Sequence, residues 1–159
     1  MSDEDVAKLA GLLQKFRIAM LTTRAEDGTL ISRPMAVQEA EFDGDLWFFA
    51  ERESRQVTQL RQHAEANVAL SSNDAWVSVS GRVEVVENVA KAKELWNKAV
   101  EAWFPNGPED PGVVLLKLHA DGAEYWDSPG SRVTTLLSYA KSRLTGQRPD
   151  VGENERVEL

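Results

Sequence analysis

The chain has 159 residues, of which 42% are hydrophobic and 28% charged, as in an ordinary globular protein. No run of about 18 apolar residues is present, which excludes a transmembrane helix, and the absence of cysteine excludes disulfides, thiolate metal sites and a cysteine nucleophile. The formal net charge of −8 argues against a general binder of nucleic acid or of anionic membranes, so an anionic ligand would need a local positive pocket.

The first 50 residues predict one helix and the first strands of a sheet. Residues 5–16 carry apolar side chains at helical spacing, and residues 17–23 are typical of a strand. Asp27-Gly28 then predicts a hairpin into a return strand over residues 29–37. Pro34 inside this strand indicates a sheet edge, a bulge or a stretch that faces a ligand. A second hairpin is predicted at Asp43-Gly44, leading into the aromatic strand at residues 46–51.

The remaining elements follow from the same patterns. We predict a short helix over residues 54–64, strands over 67–72 and 75–86, and a longer helix over 89–104. A rigid proline-rich loop is predicted over residues 105–111, followed by a closing hairpin of residues 113–119 and 123–126 through Asp121-Gly122. Gly81 within the long strand indicates a bulge or a close approach of backbone. Residues 131–144 suit a terminal helix. The last residues are charged and poor in apolar side chains, which predicts disorder.

This order predicts an α+β fold built on a six-stranded antiparallel split β-barrel with flanking helices. Strict alternation of strand and helix is missing, which argues against a doubly wound sheet, and no phosphate-binding glycine fingerprint is present. We expect one domain over residues 1–145 and a disordered tail over residues 146–159. The acidic N-terminus lacks the basic region of a signal peptide, so the expected location is cytoplasmic.

The start of the predicted helix at residue 54 is the main candidate for a binding site. Ser54 and Arg55 follow the aromatic strand there, and would place backbone N–H groups, a hydroxyl and a guanidinium together. These groups suit a phosphate monoester. Arg33 lies in the preceding strand, and we predict that the fold brings Arg33 and Arg55 together. An exposed strand arginine and a routine serine N-cap are the alternative interpretation of these residues.

Other candidate chemistry is weaker. His63 and His119 are the only histidines and fit no metal-ligand spacing, so no metal site is predicted. Ser78 and Ser80 share one strand face but have no histidine and acid at a recognisable spacing. No catalytic residue is identified from the sequence.

Four stretches, taken in order, resemble the general stress protein 26 type of flavin-binding proteins, within the pyridoxamine 5′-phosphate oxidase-like split-barrel superfamily. They are the hairpin over residues 20–35, the strand and turn over residues 46–56, the strand over residues 76–81, and the loop and strand over residues 103–118. The resemblance covers residues 5–127. It implies a homodimer that holds FMN, with FAD as the second candidate, at the subunit interface.

The resemblance also implies roles for individual residues. Arg33, Ser54 and Arg55 would hold the phosphate, and Gln56 stands where the superfamily often has lysine, which leaves one positive charge fewer. The ribityl chain and the ring would be lined through backbone and side-chain contacts by Pro34, Met35, Phe48, Phe49 and Ala50.

Two tryptophans complete the implied site. Trp76 stands where the oxidases carry a glutamine that contacts the ring, and Trp126 would approach the ring from the partner subunit. Core or surface positions are the alternative for both. Residues 128–135 do not match the substrate-binding segment of the oxidases, so the resemblance implies flavin binding more strongly than pyridoxamine oxidation.

The leading functional hypothesis is therefore a flavin-dependent redox protein of the stress response, in which the flavin carries the electron chemistry. A carrier or sensor that binds flavin without turnover is the second hypothesis. A haem or deazaflavin protein is the third. No nucleic-acid or membrane partner is expected. The substrate and the electron donor are not given by the sequence.

Overall fold

The computed structural model describes residues 3–13, 16–38, 42–127 and 154–158. The elements in chain order are α1 (Asp3–Leu13), β1 (Ile18–Arg24), β2 (Leu30–Ala36), β3 (Asp45–Glu51), α2 (Arg55–Gln62), β4 (Glu65–Ser71), β5 (Ala75–Val86), α3 (Val89–Leu95), α4 (Lys98–Trp103), β6 (Val113–Asp127) and β7 (Asn154–Glu158).

Strands β1 to β6 form one antiparallel sheet in the order β2-β1-β4-β5-β6-β3. The sheet curls into a half barrel, so its two end strands, β2 and β3, come near each other without pairing among the described residues. Helices α1 to α4 accompany the sheet. The predicted α+β split barrel is therefore confirmed, and Pro34 lies on an edge strand, where its missing N–H is tolerated.

The main core fills the inner face of the curled sheet. Alternate residues of the strands point inward, as the period of two requires, and the apolar stripes of α1 and α2 pack on them. Val57 and Leu60 are the anchors of α2, with 0% and 2% of their surfaces exposed. Each such side chain contributes about 1.5–3 kcal/mol through burial, so this packing holds α2 against the sheet.

A smaller core on the other side of β3 and β6 is covered by α3 and α4. The single helix predicted over residues 89–104 is wrong, because the chain is extended at Trp96 and Asn97 and restarts there. The side chain of Asn97 accepts a hydrogen bond of 3.0 Å from the N–H of Val100 and caps α4. The break turns Trp96 edge-on to Phe49, with 5.4 Å between the ring centroids.

Two predicted hairpins are also wrong. Gly44 does turn the chain, with φ 112°, but β2 and β3 do not pair, because β3 pairs with β6 instead. Asp121-Gly122 does not close a hairpin either, since β6 runs unbroken from Val113 to Asp127. The hairpin predicted at Asp27-Gly28 is confirmed, with β1 and β2 paired along their full lengths.

The extra residue at Asp121 forms a bulge opposite Ser80 and Gly81, where the register between β5 and β6 shifts. A Cβ at Gly81 would lie 2.1 Å from the carbonyl oxygen of His119, so the predicted close approach is confirmed. The first half of β6 pairs with β3, and after the bulge residues 122–126 pair with β7.

The C-terminal prediction differs from the structure over five residues. Residues 154–158, which were expected to be disordered, form β7. The expected helix over residues 131–144 and the rest of the expected tail lie outside the described residues. In the described part of the chain, no helix is both long and apolar enough to cross a membrane.

Candidate functional site

The start of α2 is built as the sequence predicts. Ser54 has extended backbone angles, φ −72° and ψ 154°, and is the N-cap residue of the helix. Its hydroxyl donates a 2.7 Å hydrogen bond to the carbonyl of Glu51 and lies 3.5 Å from the N–H of Val57. The hydroxyl therefore closes the turn and caps the helix. Arg55, the first residue of the helix, is exposed.

Arg52 holds this turn against the proline-rich loop. Its Nε donates to the carbonyl of Pro111 at 2.7 Å, and its backbone N–H donates to the carbonyl of Gly112 at 2.9 Å. Its guanidinium also pairs with Glu87. Three attachments from one residue fix the position of the turn relative to the sheet, although this residue gave no signal in the sequence.

Arg33 reaches the same region from β2. Its Nη1 donates to Thr23 Oγ1 at 2.9 Å, and its Nη2 donates to Gln59 Oε1 at 3.1 Å. The hydroxyl of Thr23 in turn donates to Gln59 Oε1 at 2.8 Å. Thr23 and Gln59 are buried, with 1% and 6% of their surfaces exposed, so the guanidinium rests on a fixed polar support.

The two arginines are close enough to affect each other. Partial burial lowers the pKa of Arg33, and the positive charge of Arg55 lowers it further. Among the described residues, neither guanidinium is paired with a carboxylate within 4.0 Å. Two cations that have no ion-pair partner in the described part of the chain thus lie near each other in a protein of net charge −8.

A buried amide lies beside these cations in sequence. The side-chain oxygen of Gln56 is shielded from solvent and is the one buried polar side-chain atom without a hydrogen-bond partner in the described part of the chain. Leaving such an atom unsatisfied costs about 1–3 kcal/mol, so an unpaired buried amide needs a reason. The oxygen and nitrogen of an amide exchange places by a simple flip, and the flipped side chain offers a donor instead.

These groups fit the phosphate of a flavin mononucleotide. Arginine and phosphate form charge-assisted, often bidentate hydrogen bonds, and among the described residues only two of the five N–H donors of Arg33 have a partner. A phosphate between Arg33 and Arg55 would remove the repulsion between them. A flipped Gln56 amide adds a further donor. The two guanidiniums therefore suit the group that the sequence predicted, and Ser54 and Gln56 adjoin Arg55 along the start of α2.

The residues predicted to line the ring are divided between the faces of the sheet. Met35, Phe48 and Ala50 have their side chains in the main core, whereas Phe49 packs in the smaller core on the other side. Pro34 is exposed beside Met20. Direct side-chain contact with one ligand by all five is therefore incompatible with this packing, whereas backbone contacts along the free edges of β2 and β3 are not.

Trp76 and Trp126 form a cross-strand pair on the outer face of the sheet. Their exposed fractions are 43% and 37%, which is high for tryptophan. Ile18 and Met20 are exposed on the same face. Arg33 bonds to residues of the inner side, so the described part of one protomer does not bring this arginine and the two tryptophans together.

A polar cavity of about 440 Å³ borders the exposed side of α2. Arg55 and Gln59 line it together with the acidic side chains of Glu26, Asp27 and Glu53. Of the predicted cofactor residues, Arg55 alone reaches it. The three acidic residues make this cavity a poor place for a phosphate, so the candidate site lies on the Arg33 side of Arg55.

Sequence reasoning missed Thr23 and Gln59. The position of each could have been recognised as buried. Thr23 continues the inward alternation of Ala19 and Leu21 in β1, and Gln59 is adjacent to the buried Leu60 in α2. A polar residue at a core position must find a partner, and that requirement points to Arg33. Among the described residues, no group of three or more potential metal ligands is present.

Comparison with known proteins places these features in context. The family model described as "Pyridoxamine 5'-phosphate oxidase like" matches residues 4–150. Protein bli-3 of Neurospora crassa is 28% identical over 167 residues, which cover 98% of this chain and 80% of that protein.

Solved structures share the fold. The general stress FMN/FAD binding protein of the phytopathogen Xanthomonas citri is 33% identical, with a TM-score of 0.68 over 82% of this chain and 93% of that chain. The general stress protein 26 of Bacillus anthracis strain Sterne is 24% identical, with a TM-score of 0.68 over 77% of this chain and 93% of that chain, and supports the fold alone.

Proposed function

The chain belongs to the family of proteins like pyridoxamine 5′-phosphate oxidase, and on that premise we propose that it binds a flavin, FMN in preference to FAD, between two copies of itself. The observation that carries the proposal is the proximity of two guanidiniums, that of Arg33 on β2 and that of Arg55 at the start of α2, neither in an ion pair with a described residue. The similar protein of Xanthomonas citri, described as FMN/FAD binding, supports the choice of a flavin.

Phosphate binding is assigned to the groups around these two guanidiniums. Arg33 and Arg55 supply charge, the first turn of α2 supplies backbone N–H groups, and Gln56 supplies an amide. The hydroxyl of Ser54 is already engaged with the carbonyl of Glu51, so we assign it to shaping the turn as well as to the phosphate. These contacts bind and orient the cofactor.

Ring binding is assigned to the free strand edges and to the partner subunit. The edges of β2 and β3 that are not used in the sheet carry backbone N–H and C=O groups near Pro34, Met35, Phe48, Phe49 and Ala50. Trp76 and Trp126 of a second copy would cover the ring from outside. The exposed apolar face around Trp76 and Trp126 supports a homodimer, because exposed tryptophan pairs are more typical of interfaces than of free surfaces.

A redox role in stress response is the function we favour for the bound flavin, which supplies hydride and electron chemistry when bound. A carrier or sensor is the alternative, and the lack of an acid or base among the described site residues supports it. Guanidinium, amide and hydroxyl groups do not change their protonation state near neutral pH, so the described site residues bind and orient but do not act as acid or base.

The absorption spectrum of the purified protein tests the proposal first. We expect flavin bands, FMN on denaturation by mass analysis, and a dimer by sedimentation equilibrium. A colourless protein that fails to bind added FMN would contradict flavin binding, and a haem or deazaflavin spectrum would replace it. Turnover with NADH or NADPH and an acceptor separates the two roles, because a carrier gives no more turnover than free FMN.

A further inference from the structure

The two side chains that hold the guanidinium of Arg33 carry no charge, although a phosphate site does not require this. These residues, Thr23 and Gln59, are neutral and buried, and they come from different elements, β1 and α2. An arginine at such a place is more often held by a carboxylate, which forms the stronger bond. Because both acceptors are neutral, they do not cancel the positive charge of Arg33.

We propose that Thr23 and Gln59 are positioning residues that select phosphorylated flavin over riboflavin, by orienting Arg33 without neutralising it. This inference rests on the proposed function, since it concerns the same phosphate site. A carboxylate in the place of Gln59 would satisfy the same N–H groups but would cancel the positive charge that the phosphate needs. Neutral acceptors fix the geometry and leave the charge available to the ligand.

The orientation of the Gln59 amide follows from its partners. A guanidinium can only donate, so the atom 3.1 Å from Arg33 Nη2 must be the amide oxygen. That oxygen also accepts the hydroxyl proton of Thr23 at 2.8 Å. The hydroxyl is thereby turned so that its lone pairs face Arg33 Nη1, at 2.9 Å. Each group fixes the next, and all three hydrogen bonds have normal lengths.

Within the part of the chain that the structure describes, the arrangement uses two of the five N–H groups of Arg33, one on each terminal nitrogen. Gln59 also lines the cavity that Arg55 borders. The residue that bonds Arg33 therefore borders the same cavity as the second arginine. A change at Gln59 should therefore alter phosphate binding more than ring binding.

The test compares the affinities of FMN and riboflavin, since the two differ by the phosphate alone. Gln59→Glu keeps the shape and adds a negative charge, and Thr23→Val keeps the shape and removes the hydroxyl. Gln38→Glu is the matched control, because Gln38 is a glutamine of similar burial, 8% exposed, whose hydrogen bonds go to Asn97 and Ala36 instead. Thr23→Ser is the conservative variant and keeps the hydroxyl.

Fluorescence titration of the full-length apoprotein gives both dissociation constants, and thermal unfolding shows that each variant folds. We expect Gln59→Glu to reduce the preference for FMN over riboflavin by about tenfold or more, as loss of a charge-assisted contact predicts. Thr23→Val should reduce it by about threefold or more. Thr23→Ser and Gln38→Glu should keep it.

Unchanged preference in both Gln59→Glu and Thr23→Val would overturn the proposal, as would an equal loss in Gln38→Glu. If Gln59→Glu does not fold, Thr23→Val and Thr23→Ser decide the matter. Failure of the proposed function would give a different result. The wild-type protein would then bind riboflavin and FMN with equal affinity, or would bind neither. That outcome would overturn this inference as well.

Discussion

Arg33 and Arg55, which are 22 positions apart in the sequence, lie near enough for the charge of Arg55 to affect the protonation of Arg33. Burial is the larger cause of the lowered pKa of Arg33, and the neighbouring guanidinium adds to it. Folded proteins seldom hold like charges together without a counter-ion, since the contact is destabilising. The pair is therefore best understood as a site prepared for an anion, and the first predictions concern that anion.

Removal of either guanidinium should weaken FMN binding. We expect Arg33→Ala and Arg55→Ala each to lose about 1.5–3 kcal/mol of FMN affinity, the scale of a hydrogen bond to a charged group. Riboflavin binding should change little. Arg61→Ala is the control, because Arg61 lies on the same helix but faces Glu87 at 3.6 Å. Fluorescence titration measures all three, and unchanged FMN affinity in both site variants would remove the assignment.

The pH dependence of FMN binding should follow the phosphate. Its second pKa is about 6, so below that pH the ligand passes from dianion to monoanion while both guanidiniums stay charged. Attraction to the arginine pair then falls, and the dissociation constant should rise by up to about tenfold per pH unit below the phosphate pKa. Riboflavin, which has no phosphate, should show a flat profile. Titrations between pH 5 and pH 8 compare the two, and parallel profiles would contradict a dianion site.

The fold was predictable to the extent that local patterns decide it. Alternation marked the strands, and the spacing of Val57 and Leu60 marked α2, because burial of one face is a local requirement. Pairing between strands is not local. Asp43-Gly44 and Asp121-Gly122 are both typical hairpin dipeptides, yet one turns the chain between strands that do not pair, and the other forms a bulge within β6.

The start of α2 was predictable in a similar measure. Ser54 follows a strand and caps a helix that begins at Arg55, and the order of residues was enough to predict that local structure. The neighbours of Arg33 were not found, because Thr23 and Gln59 reveal their role only when β1, β2 and α2 are packed together. Phe48 and Phe49 were grouped although consecutive strand residues point to opposite faces. A single chain also cannot show which of its exposed residues meet a partner.

The bulge at Gly81 gives a prediction about stability. A methyl group there would lie 2.1 Å from the carbonyl oxygen of His119, so the backbones of β5 and β6 must move apart. We expect Gly81→Ala to lower the free energy of unfolding by about 1–3 kcal/mol, as forced backbone shifts do. Gly11→Ala is the matched control, because a Cβ at Gly11 meets nothing within 4 Å. It lies in α1, where alanine is favoured by about 0.5–1 kcal/mol.

Chemical denaturation of the two variants measures these changes. An unchanged midpoint for Gly81→Ala would show that β5 and β6 tolerate separation at the bulge.

The paired tryptophans on the outer face predict the oligomeric state. If two copies meet through this face, Trp76 and Trp126 become buried, and an aromatic side chain of this size removes about 150–250 Å² from water. Trp76→Ala or Trp126→Ala should therefore weaken the dimer by about 2 kcal/mol or more, the scale of an interface hot spot. Trp76→Glu should give a monomer, since a carboxylate cannot be buried there without a partner.

Trp103→Ala is the control for this prediction. Trp103 has 77% of its surface exposed, more than either member of the pair, but it lies on α4 beside the proline-rich loop. Its removal should leave the dimer intact, which separates a specific interface from a general loss of apolar surface. Sedimentation equilibrium gives the dimer dissociation constants, and FMN titration of the monomeric variant shows whether the second copy is needed for ring binding. A Trp76→Glu protein that remains dimeric and binds FMN normally would exclude this face from both roles.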